Sequence, residues 1–424
     1  MGRCNLLIFY IIRKNSIYLT NTIFLCKICT HMWGLIMQER FMQKRTYLEL
    51  PTEVGYKFYY RKEALGKIYH ELEEFLEFVK SLNSLDYAKK VLFSHELKAN
   101  NLVEGYSDDL ESIERVIYEK CERIKDEKQK RRILNLYAGY KFILRNHVLD
   151  ERHLHILYST LSDGLITDDY SIKFMGDLYR ENSVKILRLG RIEDNPNMGV
   201  DASKISDLMQ HYFNFINNAP TESMTDKYIK SQIMHFYFVY IHPYFDVNGR
   251  TSRTMALWYL LNKGAYPFII FNRGISISGV KYDNLIREAK DSADITYFLK
   301  FMLETVKCEL EKELVIQHLV KDKGEGFSSI DYEIMLYFLS IDRTITLGDF
   351  AAYYNRLNDK KPVPVIYEEM VKPLIDKDIV RVLRYTKKYF GDVPNMELEI
   401  NKELVPCGEE MHLKRLKSFQ SSKK

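Results

Sequence analysis

From about residue 60 to residue 310, apolar side chains return every three or four positions along the chain. KIYHELEEFLEFVKSL (67–82), DYAKKVLFSHELKANNLV (86–103), RRILNLYAGYKFILRN (131–146), ISDLMQHYFNFINN (205–218) and TMALWYLLN (254–262) all keep that spacing. It predicts helices that turn one face to a shared core. Gly105, Gly164, Pro220 and Gly264 read as stop signals between them. SVKILRLGRI (183–192) breaks the pattern, because it alternates and carries Gly190 near its turn. It predicts a small β-hairpin set among helices.

Past KDKGEGFSS (321–329) the pattern changes again. Three short helices are predicted over IDYEIMLYFLS (330–340), TLGDFAAYYNRLN (346–358) and VIYEEMVKPLIDKD (365–378). IVRVLRYTKKYFGD (379–392) and MELEINKEL (396–404) then read as paired strands. Three helices and a β-ribbon suggest a winged-helix-like module over 326–405, with a helical packing or dimerisation appendage as the alternative. No helix of this module concentrates Lys and Arg with Asn or Gln on one face. The fold class expected is mainly α, with a small β-hairpin in the core and a small α/β unit at the C-terminal end.

Composition narrows this only a little. The 424 residues are 46% hydrophobic and 28% charged, an ordinary globular balance with room for a main domain and a smaller one. The net charge of +4 is too small to read as a nucleic-acid footprint, and part of it belongs to a basic tail over 406–424. Of six cysteines, Cys4, Cys26 and Cys29 fall in the first thirty residues and Cys121, Cys308 and Cys407 are scattered, which implies no disulfide framework and suits a reducing cytoplasm. The CxxC of CKICTH (26–31) lacks a second ligand pair at zinc spacing. Residues 1–36 are expected to be a gene-start artefact, with translation beginning at Met37 or Met42. The alternative is a membrane-associating N-terminus, since LLIFYII (6–12) is apolar but too short to span a bilayer.

Candidate chemistry collects in HPYFDVNGRTSR (242–253), directly after the apolar run SQIMHFYFVYI (231–241). Pro243 disfavours helix at His242, and the next helix is expected to start near Asn248-Gly249. The amides of such a turn and of the first helical residues converge as an anion site. Arg250 and Arg253 share one face there, although cations are disfavoured at a positive helix end. A phosphate ligand would reverse that penalty, and its geometry suits two planar guanidinium forks. Asp246 is placed like a magnesium ligand, since Mg²⁺ takes one or two carboxylates plus phosphate oxygens. His242 is the nearby group suited to general base work. Together these residues describe phosphoryl or nucleotidyl transfer.

HPYFDVNGRTSR resembles the HPFx(D/E)GNGRxxR signature of Fic-domain proteins, a long and specific motif. The resemblance runs from about residue 60 to 310. YRENSVKI (179–186) is similar to the strand hairpin, or flap, of that family. ISGVKYDNLIREA (277–289) and DITYFLKFML (294–303) are similar to the segment after the motif. The resemblance implies a Fic-type helical core over 171–312, after an N-terminal helical region over 37–170. It also implies transfer of AMP from ATP to a Ser, Thr or Tyr hydroxyl of a protein target, self-modification included. By the same resemblance His242 would deprotonate the hydroxyl and Asp246 would hold Mg²⁺. Asn248, Gly249, Arg250, Thr251 and Arg253 would hold the ATP phosphates, and Tyr282 would lie near the adenine. Ile186 and Leu187 would pin the target by strand pairing. Related folds use UTP, GTP or CDP-choline, and the motif does not read the base.

Two positions depart from the signature. Tyr244 stands for Phe, a mild change provided its hydroxyl finds a partner. Val247 stands for the first Gly, where a positive φ would strain a β-branched residue. The nest is expected to survive because Asn248-Gly249 keeps the permissive pair. A further stretch, ANNLVEGYSD (99–108), is similar to the inhibitory (S/T)xxxE(G/N) of many Fic proteins, with Asn100 in the Ser/Thr place. The match implies that Glu104 pairs with Arg253 and blocks the ATP γ-phosphate, or orients a water that removes AMP. The expectation is a cytoplasmic, autoinhibited protein adenylyltransferase with no membrane partner, a homodimer being open. The rival is a DNA-binding regulator whose Fic core senses nucleotide.

Overall fold

A computed structural model describes residues 44–81, 88–119, 126–166, 179–186, 197–218, 220–265, 270–323, 329–340, 344–357 and 360–401. The expected leader over 1–36, the basic tail over 406–424 and Leu187 lie outside the described residues. Strands β1 (Arg45–Pro51) and β2 (Lys57–Arg61) come first, then α1 (Lys62–Ser81), α2 (Ala88–Val103) and the short α3 (Leu110–Glu114). Helices α4 (Glu127–Arg145) and α5 (Glu151–Ser162) precede β3 (Lys185–Ile186) and β4 (Asn197–Met198). Helices α6 (Ile205–Asn218), α7 (Met224–Ile241), α8 (Asn248–Asn262), α9 (Phe271–Ile277), α10 (Gly279–Ser292) and α11 (Thr296–Lys323) complete the main unit.

The periodic segments fold as the sequence predicts, and burial gives the reason. In α1 the buried side chains are Leu65, Ile68, Leu72, Phe75 and Leu76, one stripe that faces α11. Helix α7 is buried on nearly every side, with α6, α8, α11 and α1 packed around it. Its start is fixed by a capping box in which Ser223 and Asp226 satisfy each other's backbone N–H. Polar groups that burial would otherwise penalise are paired: Lys230 Nζ donates to the Ile216 carbonyl at 2.8 Å.

Two expectations are corrected. The N-terminal region opens with an antiparallel β-hairpin rather than helix alone. Leu48 and Leu50 face the core while Tyr47 and Glu49 face solvent, a period of two that a helix cannot satisfy. Phe58 of β2 is fully buried, edge-on to Phe236, Tyr237 and Tyr240 of α7. The second hairpin does not close within 183–192, because Lys185 and Ile186 pair with Met198 and Asn197. The returning strand had carried no alternating pattern to betray it.

The C-terminal unit comprises α12 (Ser329–Leu339), β5 (Ile345–Thr346), α13 (Leu347–Leu357), α14 (Val363–Ile366), α15 (Lys372–Asp376), β6 (Val380–Phe390) and β7 (Val393–Ile400). Its sheet is antiparallel in the order β5-β7-β6, and the short β5 was not expected. Buried polar contacts fasten α12 to the main unit. Lys98 of α2 meets Glu333 at 2.5 Å, and Arg273 of α9 donates to the Tyr332 hydroxyl at 2.7 Å. Arg273 also faces Glu309 at 3.2 Å and Glu313 at 3.1 Å on α11.

Candidate active site

The turn between α7 and α8 reverses the chain in six residues, and its two ends are left-handed. His242 has φ 54° and ψ 59°, and Val247 has φ 63° and ψ 9°. The Asn248 side chain braces the turn from inside, accepting the Tyr244 N–H at 2.9 Å and donating to the Tyr244 carbonyl at 2.7 Å. The Thr251 hydroxyl donates to the Val247 carbonyl at 2.8 Å. Both side chains are therefore committed to the loop, and so is the Thr251 N–H, which donates to the Val247 carbonyl at 2.9 Å. The first amides of α8 have no partner inside the helix, which is what makes a helix start an anion site.

An anion already lies there. The Glu104 carboxylate follows α2 and meets Arg253 Nη2 at 2.6 Å. A Cβ built on Gly249 would collide with the same oxygen, so the absence of a side chain at Gly249 lets the carboxylate approach. Burial alone would raise the Glu104 pKa, but the Arg253 and Arg250 guanidiniums outweigh it and hold the carboxyl below its ordinary value. Asn100, in the Ser/Thr place, accepts from Arg253 Nε at 2.9 Å through its side chain. Its carbonyl accepts from Nη2 at 3.2 Å. Arg250 is buried too, and among the described residues its Nε has no hydrogen-bond partner. A buried guanidinium N–H without an acceptor beside a helix start suits an incoming oxyanion.

His242 Nδ1 lies 3.4 Å from the Val239 carbonyl, which can only accept, so the ring proton belongs on Nδ1 and the lone pair on Nε2. Burial pushes its pKa down to about 4, aided by Arg180 and Lys290 and opposed by the Val239 carbonyl and Glu104. The imidazole is thus neutral near pH 7 and free to take a proton. Asp246 is exposed, and one of its oxygens accepts the Val247 N–H at 2.6 Å. No group of three His, Cys, Asp or Glu among the described residues forms a metal cage. One exposed carboxylate beside an anion site fits a cation that takes its other ligands from phosphate and water.

Eight expected residues, Glu104, His242, Asp246, Asn248, Gly249, Arg250, Thr251 and Arg253, share this turn and its flank. Tyr282 of α10 is linked to them: its hydroxyl lies 2.6 Å from His235 Nε2, while His235 Nδ1 lies 3.0 Å from the Ser252 hydroxyl. Ser252 in turn donates to the Gly249 carbonyl at 2.8 Å. Ile186 pairs with Asn197 in the strand pair of β3 and β4. The Tyr244 hydroxyl finds no partner among the described residues, and its ring instead stacks on Tyr158 with centroids 3.5 Å apart. Sequence reasoning missed His235, Ser252 and Arg180. A polar residue inside an apolar run, as at His235, is the one signal that could have flagged the first.

Residues 153–260 match the model of the Fic/DOC family. The chain is similar to the protein adenylyltransferase Fic of Drosophila ananassae, 31% identical over 104 residues. That match covers 24% of this chain and 20% of the relative. The protein adenylyltransferase Fic of Drosophila virilis is 30% identical over 127 residues, covering 28% of this chain and 25% of that one. Similarity to these curated relatives thus spans about a fifth to a quarter of their length. Among solved structures, a Fic family protein from Desulfovibrio desulfuricans G20 superposes with a TM-score of 0.50 at 17% identity. It covers 81% of this chain and 97% of its own, so the fold is shared.

Val247 offers a direct test of the turn. The positive φ falls on Val247 itself, while Asn248 and Gly249 are helical, so the strain expected at this position is present. A non-glycine residue in the left-handed region costs about 1–2 kcal/mol. Val247 is also buried, and losing its side chain costs about 1.5–3 kcal/mol. Val247→Ala loses most of the burial and keeps the strain, whereas Val247→Gly loses burial and relieves strain. Denaturant unfolding should find Val247→Gly at least as stable as Val247→Ala, the reverse of the order in ordinary helix or strand. A Gly variant clearly less stable than the Ala variant would refute the strain.

Proposed function

We propose that the protein is an adenylyltransferase that moves AMP from ATP to a side-chain hydroxyl of a protein, and that Glu104 holds it off. The observation that carries this reading is the Glu104 carboxylate on Arg253 and against Gly249, an internal anion at the helix start where a phosphate would lie. Arg250 and Arg253, with the first amides of α8, would hold the triphosphate, and Tyr282 would border the base. Asp246 would hold Mg²⁺, which when bound neutralises phosphate charge. The hydroxyl oxygen of the target attacks the α-phosphorus, and its proton passes to His242 Nε2. The bond to the β-phosphate oxygen breaks, and pyrophosphate leaves. Glu104 would occupy the γ-phosphate position, so nucleotide binds productively only when the carboxylate is displaced. The same carboxylate would orient a water for hydrolytic removal of AMP.

Intact mass after incubation with ATP and Mg²⁺ tests donor, base and brake together. Glu104→Gly should gain AMP at least about tenfold faster than wild type, equivalent to releasing an equilibrium held by about 1.4 kcal/mol. Glu104→Gly/His242→Ala should gain none. No gained mass in the single variant, with ATP or with the other nucleoside triphosphates, would sink the reading.

The pH dependence follows from the same site. His242 acts as base in its neutral form, and its depressed pKa means that form is lost only as pH falls through about 4. Removing Glu104, which raises that pKa, lowers it further. The initial rate at low ATP, which reports the free enzyme, should be flat from about pH 6 to about pH 8. A rate that halves near pH 6.5 would contradict a buried neutral His242.

A second reading gives the C-terminal unit a DNA partner. Its order α12-β5-α13-α14/α15-β6-β7, with the sheet order β5-β7-β6, supports a winged-helix-like reading. The β6–β7 ribbon exposes Arg384, Lys387 and Lys388 beside Tyr385 and Tyr389. Exposed Glu368, Glu369 and Asp376 on the preceding helices oppose it. Duplex binding by the full chain should weaken with salt, and Lys387→Ala and Lys388→Ala should each reduce the slope by about 1. Salt-independent binding, or none at low salt, would leave the unit a packing appendage.

A further inference from the structure

The strand pair of β3 and β4 reaches the catalytic turn through one side chain. Arg180, just before β3, is 2% exposed, and its guanidinium donates to main-chain carbonyls from three directions. Nε donates to the His242 carbonyl at 2.7 Å, and Nη1 to the Asn182 carbonyl at 2.7 Å. Nη2 donates to the Val200 carbonyl at 2.6 Å and, more weakly, to that of Ile241 at 3.4 Å. The Arg180 backbone N–H adds a bond to the Pro243 carbonyl at 2.9 Å. Asn182 leads into β3 and Val200 leads out of β4, so a single planar fork joins both ends of the strand pair to His242. The room for it is built in: a Cβ on Gly199 would stand 2.6 Å from Nη2 and 3.0 Å from Val184.

We propose that Arg180 is a positioning residue for the transfer reaction, fixing the register between the β3–β4 strand pair and the His242 imidazole. This rests on the adenylyltransferase reading. A hydroxyl presented by a strand laid along β3 must arrive within hydrogen-bond reach of Nε2, and a misplacement of about 1 Å can cost about a hundredfold in rate. Structure alone gives little reason to bury a guanidinium here, because hydrogen-bonded carbonyls repay only part of its desolvation. A planar donor with five N–H groups can hold three separate backbone turns at once, which an ammonium cannot. The cation also faces His242 together with Lys290, against Glu104 and the Val239 carbonyl, and so takes part in keeping the imidazole neutral. None of these Arg180 contacts is to Glu104 or to a residue of α8, where the anion site lies.

The test uses the full chain carrying Glu104→Gly, with Arg180→Gln or Arg180→Lys added. Three readouts are taken: AMP transfer by intact mass, ATP affinity by calorimetry, and His242 titration by NMR, its signal assigned by loss in His242→Ala. Arg180→Gln should lower transfer at least tenfold, leave ATP affinity within twofold, and move the His242 midpoint upward. Arg180→Lys should lose transfer similarly while moving the midpoint less, since charge without the fork does not restore register. Gly199→Ala, which crowds the guanidinium without removing it, should lower transfer in the same way and serves if Arg180→Gln does not fold. Transfer that falls only in step with ATP affinity, or a folded Arg180→Gln with unchanged transfer and titration, would overturn the proposal. If Glu104→Gly with Arg180 intact transfers nothing, the adenylyltransferase reading fails. The His242 titration, which needs no activity, still decides whether Arg180 governs the imidazole.

Discussion

The backbone reversal between α7 and α8 is the constraint on which the site depends. Two left-handed residues, His242 and Val247, are the ends of a six-residue turn that leads from one largely buried helix into another. Left-handed conformations at non-glycine residues persist only where the surroundings over-determine them. Here Asn248 ties the turn from within, Arg180 ties it from the strand pair, and burial of Val247 and Tyr244 fixes it from below. The outcome is an imidazole and a helix N-terminus that both feel the Glu104 carboxylate. None of these groups is unusual alone. The turn makes them neighbours, and rigid support of that kind is what a transfer site needs.

Electrostatics around the turn are arranged in opposed pairs. Arg250 and Arg253 add positive charge to a helix end that is already positive, an arrangement tolerated when an anion is present. Glu104 supplies that anion from within the chain, and Asn100 holds Arg253 in place for it. His242 stands near both the carboxylate and two cations, and burial decides the balance in favour of the neutral ring. A neutral base beside a charged anion site is the division of labour that nucleotidyl transfer to a hydroxyl requires.

Much of this was legible in the chain, and the reasons are local. Pro243, the Asn-Gly pair and the arginine spacing mark the turn within twelve residues, and Glu104-Gly105 marks the end of α2. The pairing of Glu104 with Arg253, 149 positions apart, could be read only because both belong to a known motif pair. Contacts without such a pattern stayed hidden. Arg180 reaches carbonyls 20, 61 and 62 positions away, and a carbonyl has no residue identity to read. The β1–β2 hairpin was missed because the helical period that begins near residue 60 dominated its short alternation. The second hairpin was misplaced because its returning strand, Asn197–Met198, is only two residues long. The fastening of α12 to α2 through Lys98 and Glu333 is likewise invisible to periodicity.

The internal anion also bears on stability. Arg253 is among the largest fully buried side chains, and Glu104 is its charged partner. Removing one member of a buried pair leaves an uncompensated charge, at a cost of about 3–5 kcal/mol. Half-burial of Glu104 reduces that figure, and the Asn100 oxygens reduce it again. Even so, a site emptied of both Glu104 and nucleotide holds two buried guanidiniums over a positive helix end. The resting fold is therefore most stable with Glu104 in place, and under the proposed function a bound triphosphate would replace it by satisfying the same donors. In the proposed enzyme, restraint and stability are thus the same contact viewed from two sides.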